Sequence, residues 1–232
     1  MAQLAEPTRE VIEVRGVRLP VDPTIMSEVI QDVVRRGEYE NGEAKSVARI
    51  LEAGDRVLEL GGGIGYLSAL IGTLGLADHI VTVEANPALI PVIRATHALN
   101  GVKAEVIHGA AVADEAAEPL RFSLDEHFWA SSLTPRKQKG IQSMVEVPAA
   151  VLGELVRAHR PTFLIVDVEG SEVELLTRAE DIAGVNKVLI EVHDKAIGPH
   201  GVKQLFDFFS AAGFYLDVRL SVYGIMLFRR LP

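Results

Sequence analysis

Cysteine is absent from the 232-residue chain. That excludes a disulfide framework, a thiol nucleophile and a cysteine-based zinc site, and it fits a reducing compartment, so a cytoplasmic location is expected. Positive charge is scarce as well: 23 Lys and Arg stand against 32 Asp and Glu, a formal charge of −9. Phosphate binding relies on clustered Lys and Arg that release counterions, so neither nucleic acid nor an anionic membrane is expected as a partner. No run of about 18 apolar residues could span a bilayer. Residues 1–10 also lack the basic-then-apolar pattern of an export signal. Internal repeats and low-complexity tracts are missing, and Met1–Thr8, short and polar, is expected to be disordered.

What is present is a 48% hydrophobic content, enough to bury one substantial core. Residues 51–232 are expected to form the main domain, with residues 1–50 supplying an N-terminal hairpin and helices packed on it. Val11–Leu19 alternates around Gly16 as a hairpin should, and Pro20 and Pro23 end it. Helical spacing then covers Ser27–Arg36 and a further helix Gly42–Glu52. From there short β-branched runs alternate with helical stretches: strand Arg56–Leu60, helix Tyr66–Gly75, strand Ile80–Glu84, helix Pro87–Asn100 and strand Ala104–His108. This βαβαβ order implies parallel strands joined by right-handed crossovers. Ser123–Val145 reads as an insertion or long loop. Beyond it we expect helix Ala149–Ala158, strand Thr162–Val168, helix Glu172–Arg178, strand Lys187–Val192 and helix Val202–Ala212. Strands Phe214–Arg219 and Val222–Phe228 are joined too closely for anything but an antiparallel pair. The expected fold is therefore α/β: Rossmann-like, with a mostly parallel seven-stranded sheet ending in an antiparallel hairpin, the layout of class I methyltransferases.

Between the first of those strands and its helix lies Glu59-Leu60-Gly61-Gly62-Gly63-Ile64-Gly65. Gly61, Gly63 and Gly65 let the backbone turn sharply and let a ligand lie against it. Such a loop alone would suit NAD, a flavin nucleotide or no ligand at all. Two acids narrow the choice. Glu59 would repel a pyrophosphate but attract the ammonium and sulfonium of S-adenosyl-L-methionine. Glu84, about 20 residues after the loop, stands where an acid accepts bonds from both ribose hydroxyls. Asn86 borders the adenine or ribose, or else caps the following helix. Gly109 and Ala110 end the third strand, where small residues leave room for adenine, although Gly109 also reads as a simple turn.

With these motifs in order the chain resembles the FkbM-type methyltransferases. The resemblance spans roughly residues 37–193, through GEYE (37–40), VLELGGGIGYLS (57–68), VTVEANP (81–87), VDVEGSEVELL (166–176) and LIEVH (189–193). It implies methyl transfer from S-adenosylmethionine to a hydroxyl of a sugar or natural product. It also implies that Tyr39 and Glu40 hold the methionine end of the cofactor, and that Asp167 and Glu169 border the transfer site. Glu59 stands where the family usually has Asp, and Gly62 replaces a small polar residue or alanine. Residues 123–140 carry only a faint echo of the family's serine-containing stretch.

Methyl transfer needs an aligned nucleophile and an acceptor for its proton, and it does not require a metal. Asp167, Glu169 and His193 are the candidate acid-base set, with His193 the natural base because an imidazole titrates near neutrality. Each has a plainer reading: Asp167 as a helix cap, Glu169 as a solvated carboxylate, His193 as a structural donor. Alternatively Asp167, Glu169, Glu191, His193 and Asp194 assemble a divalent-metal site. Phe128 and Trp129, among Ser131, Ser132, Arg136, Lys137 and Lys139, suggest a substrate lid, a dimer contact or a hydrophobic plug. The expected partner is a small-molecule acceptor. A homodimer is compatible with the sequence and nothing requires it. An N-methyltransferase acting on an amine, and a non-catalytic cofactor-binding partner protein, are the alternatives.

Overall fold

The computed structural model describes residues 10–114, 119–125, 131, 133, 141–222 and 224–232. Met1–Thr8, Phe128, Trp129, Ser132, Arg136, Lys137 and Lys139 lie outside them, and so do the expectations placed on those residues.

Strands β1 (Glu10–Val14) and β2 (Val17–Val21) form the N-terminal hairpin. Its turn residues Arg15 and Gly16 both have positive φ, the backbone that a two-residue hairpin turn requires. Helix α1 (Glu28–Arg35) starts at Ser27, whose hydroxyl accepts the Ile30 N–H, and α2 (Asn41–Ile50) follows. The main sheet then begins: β3 (Asp55–Leu60), α3 (Tyr66–Leu74), β4 (Ala77–Glu84), α4 (Ile90–Asn100) and β5 (Glu105–His108). After β6 (Ala110–Val112), β7 (Leu120–Asp125), β8 (Ile141–Val147) and β9 (Ala149–Val151), the chain returns to the sheet. It does so through α5 (Leu152–His159), β10 (Phe163–Val166), α6 (Glu172–Leu175), β11 (Lys187–Glu191), α7 (Asp194–Ala211), β12 (Phe214–Leu216) and β13 (Ile225–Arg230).

The seven-stranded sheet runs β12-β13-β11-β10-β3-β4-β5. Its pairs from β11 to β5 are parallel, and β13 is antiparallel to both β11 and β12. The expected mostly parallel sheet with a terminal antiparallel pair is what the chain forms. Period-two alternation divides the core. Val57, Ile80, Phe163, Ile165 and Leu189 face α2, α3 and the N-terminal hairpin, while Leu58, Leu60, Val81, Val83, Leu164 and Val166 face α5 and α7. Both faces are covered, as a parallel sheet demands, and each fully buried aliphatic or Phe side chain adds about 1.5–3 kcal/mol.

Several expectations change. Ala149–Val151 is strand rather than the start of a helix, because it pairs in parallel with Ala110–Val112. Within the segment read as a loop, β7 and β8 form an antiparallel ladder. The helix expected over Glu172–Arg178 is a single turn. Helix α7 begins at Asp194, eight residues before the expected start at Val202, and breaks at Gly198, next to Pro199. The last two strands are shifted and shortened, with a turn between them. No described helix is long and apolar enough to cross a membrane.

Candidate functional site

Strand order reverses direction between β3 and β10, and a crevice opens outside the carboxyl ends of these strands, the usual ligand position in such sheets. It holds a cavity of about 640 Å³. The glycine loop forms its floor. The Gly61 N–H donates to the Val83 carbonyl and the Asp167 N–H to the Leu60 carbonyl, both at 2.9 Å, so β4, the loop and the end of β10 are tied together. A Cβ on Gly61 (φ 93°) would overlap the Asp167 carbonyl oxygen, and one on Gly63 would lie 2.5 Å from the Tyr39 hydroxyl. Only glycine allows this approach.

Glu84 closes the next side. One carboxylate oxygen accepts the Gly63 N–H at 2.9 Å and the other the Asn86 N–H at 2.7 Å. Burial pushes its carboxyl up to about 7, even though these N–H groups pull the other way. Gly109 and Ala110 line the wall beyond it. The Ala110 N–H donates to the Pro148 carbonyl at 2.9 Å, which holds the residues before β9 against the crevice.

Tyr39 and Glu40 lie over the loop on the opposite side. Glu40 precedes α2 with a left-handed backbone (φ 45°), and Glu169, after β10, is also left-handed (φ 52°). Such conformations are costly for residues with a Cβ, and both occur on this cavity wall. Burial raises the Tyr39 phenol, helped by the Glu40 charge. Desolvation raises the Glu40 carboxyl, with Glu43, Glu59 and Asp167 adding to the effect.

At the ends of β10 and β11 the acids crowd one imidazole. Glu172 Oε1 sits 2.6 Å from His193 Nδ1, Glu169 Oε2 lies 3.3 Å from Nε2 and Asp167 Oδ1 lies 3.7 Å from it. Glu172 is fully buried and also accepts the Gly170 N–H at 3.0 Å. Burial disfavours charge on His193, but hydrogen bonds the ring donates to Glu169 and Glu172 and the charges of Glu169 and Asp167 overcome it and push the ring up to about 11. These neighbours favour the protonated ring over the neutral imidazole. Asp167 is pushed well above the usual carboxylate range by desolvation and by Glu191 and Glu169. Glu191 reaches about 7 through burial and the Glu43 charge.

Not every expected residue reaches the wall. Glu59 is 1% exposed and lies beneath the loop on the α3 side, opposite Thr82 in the β3–β4 register. Burial lifts it to about 7 against Thr82 and Ser68. Gly65 is buried at the start of α3, against Ile93. Asn86 does not cap the helix, which begins at Ile90 after Leu89 rather than at Pro87; its Oδ1 accepts the Ala88 N–H at 3.0 Å within the preceding turn. Asp167, Glu169 and His193 are close enough to share a cation, with Glu191 on the same wall, whereas Asp194 is exposed at the start of α7. Glu43, Phe122 and Leu133 also line the cavity, and Ser131 joins them. Sequence reasoning missed the first three. Glu43 stands three residues after Glu40, a helical spacing that could have placed both on one face.

The methyltransferase FkbM domain matches residues 64–216. The chain belongs to this family. The match covers well over half of the sequence and includes Glu84, Asp167, Glu169 and His193, while the first glycines and Tyr39-Glu40 precede it. No curated protein matches the sequence. Among solved structures, M. jannaschii TYW2 in complex with AdoMet superposes with a TM-score of 0.52 at 13% identity, covering 100% of this chain and 90% of that one. Trm5b from Pyrococcus abyssi gives 0.53 at 14% identity, over 96% of this chain and 56% of that one. The P. abyssi tRNA (uracil-54, C5)-methyltransferase, in complex with S-adenosyl-L-homocysteine, gives 0.54 at 12% identity, over 96% and 44%. These likenesses establish the class I methyltransferase fold.

Proposed function

We propose that the chain transfers a methyl group from S-adenosylmethionine to a hydroxyl of a small molecule. The observation that carries this reading is the meeting of Glu84, the glycine loop and the Asp167–Glu169–His193 cluster on one cavity. The residues fit the cofactor. Glu84 is a buried carboxylate fixed by two N–H donors, suited to a ribose diol, and Gly61 and Gly63 let Asp167 and Tyr39 close in on the loop that lines the cavity. Tyr39 and Glu40 offer an acid and a phenol to a cationic tail. When bound, S-adenosylmethionine supplies a methyl group activated by its sulfonium.

The chain's own residues supply alignment and proton transfer. Asp167 lines the cavity, and desolvation and the neighbouring acids raise its affinity for a proton, so in this reading it takes the hydroxyl proton. His193, held protonated by Glu172 and Glu169, fixes the carboxylates around it and keeps them from repelling one another. A polyanionic acceptor such as tRNA is disfavoured by the acidic wall and by the overall charge of −9.

One observation favours a second reading. Glu40, Glu43, Asp167, Glu169 and Glu191 line the cavity with His193 as its titratable cationic group, an arrangement that also suits an amine acceptor. Incubation with methyl-labelled S-adenosylmethionine and matched panels of alcohols and amines separates the two. Label on an alcohol, lost in Asp167→Asn, supports the first reading, and label on amines alone supports the second. Cofactor binding without transfer to either panel would favour a non-catalytic role.

A further inference from the structure

The opposite end of the sheet carries a second cluster, away from the crevice. His79 lies near the start of β4, Glu105 opens β5 and His159 closes α5. Their meeting follows from the register. Glu105 pairs with Val81, so His79, two residues earlier on β4, shares its face of the sheet, and this is the face that α5 covers. His79 Nε2 and His159 Nδ1 are 3.4 Å apart, and Glu105 Oε2 is 3.8 Å from the same His159 nitrogen. The two rings stack at 5.7 Å with an interplanar angle of 20°.

We propose that His79, His159 and Glu105 form a binding site for a divalent transition-metal ion of the zinc type. A tetrahedral ion with ligand bonds of about 2.0–2.2 Å holds its donor atoms about 3.3–3.6 Å apart. The observed separations lie within a few tenths of an ångström of that edge. Two imidazoles and one carboxylate are the donor set that borderline ions such as Zn²⁺ prefer, with the fourth position left to water. Arg56 fixes the His159 backbone, with Nε 2.9 Å and Nη2 2.6 Å from its carbonyl oxygen. The His159 side chain is 17% exposed and the Glu105 carboxylate 51% exposed, so the ion has both a held ligand and an open path. A bound ion clips the end of α5 to the starts of β4 and β5, linking elements whose side chains build one core face.

The test is calorimetric titration of ZnCl₂ into the full chain, with thermal melts run in parallel, on wild type, His159→Gln and Glu105→Gln. Both variants lie outside the methyl-transfer crevice, and the second changes a solvent-facing side chain and keeps its shape. Losing an outer-shell partner of a metal ligand costs roughly 10–100-fold in affinity, so losing a ligand should cost at least about tenfold. One equivalent of Zn²⁺ is expected to bind wild type and raise its melting temperature, with both effects reduced in each variant while S-adenosylmethionine binding is unchanged. Absence of Zn²⁺ binding to wild type overturns the proposal. Binding that both variants retain also overturns it, since the ion would then sit elsewhere, the Asp167–Glu169–His193 cluster included.

Discussion

The two ends of the parallel sheet bury charge in opposite ways. At the N-terminal ends of the strands, Lys187 is 2% exposed and its ammonium reaches Asp55 at 2.6 Å, the Ile50 carbonyl at 2.9 Å and Glu52 at 3.0 Å. Asp55 also accepts the Thr162 hydroxyl and the Glu52 N–H, both at 2.8 Å, so both its oxygens are partnered. At the C-terminal ends, Glu59, Asp167 and Glu172 each keep a buried oxygen with no hydrogen-bond partner among the described residues. Buried acids without full partners cost stability. The comparison teaches that the acids with unpartnered oxygens gather at the crevice end of the sheet, where perturbed groups of functional sites are often found.

Exchanging the unsatisfied end for a neutral isostere should give the largest effect. Asp167→Asn keeps the shape and removes the base, so single-turnover methyl transfer should fall about 10²–10⁴-fold, with melting temperature unchanged or higher. Near-normal transfer would move the base elsewhere. At the satisfied end the effect falls on stability. Lys187→Met strands Asp55 without its charge partner and should cost about 3–5 kcal/mol in urea denaturation, while cofactor affinity per folded molecule stays constant. A loss of both together would show that the two ends are not separable.

A smaller change is expected at Glu84. Hydrogen bonds to a charged group are worth about 1.5–3 kcal/mol, so Glu84→Gln should weaken S-adenosylmethionine about tenfold or somewhat more by calorimetry, with little effect on folding. The smallest effect is the pH dependence. Glu59, Glu84 and Glu191 rise from 4.5 to about 7 in the fold, so the native chain holds more protons than the unfolded chain across that window. Stability therefore falls as pH rises from 4.5 to about 7. His193 acts in the same direction at higher pH: its contribution is complete below 6.5 and is lost as pH rises through about 11. Stability that climbs between pH 5 and 7 would contradict the crowded-acid description.

Much of the satisfied architecture was legible because it rests on local pattern. The strand–glycine–helix unit at Glu59–Gly65 and the alternating runs of β3, β4, β10 and β11 follow from period and turn chemistry. Ala149–Val151 was misread because Ala-Ala-Val-Leu suits a helix, and only its partner Ala110–Val112, far away in sequence, makes it a strand. The early start of α7 was hidden by Gly198-Pro199, which a sequence pattern treats as a stop. In the site, Asp167, Glu169 and His193 were placed together correctly, but the chemistry of His193 was not legible. It depends on Glu172 and Glu169 at 2.6 and 3.3 Å, and sequence spacing does not report such distances. The depth of Glu59 was not legible, because the strand alternation that sends it beneath the loop is visible only once the faces are assigned.

The central claim is that the crevice at the C-terminal ends of β3 and β10 binds S-adenosylmethionine. Calorimetric titration of S-adenosylmethionine, S-adenosylhomocysteine and NADH into wild type and Glu84→Gln tests it most directly. One equivalent of each sulfur nucleoside, weakened in the variant, with no heat from NADH, is the predicted result. NADH binding without S-adenosylmethionine binding, or no binding of any of the three, would contradict it.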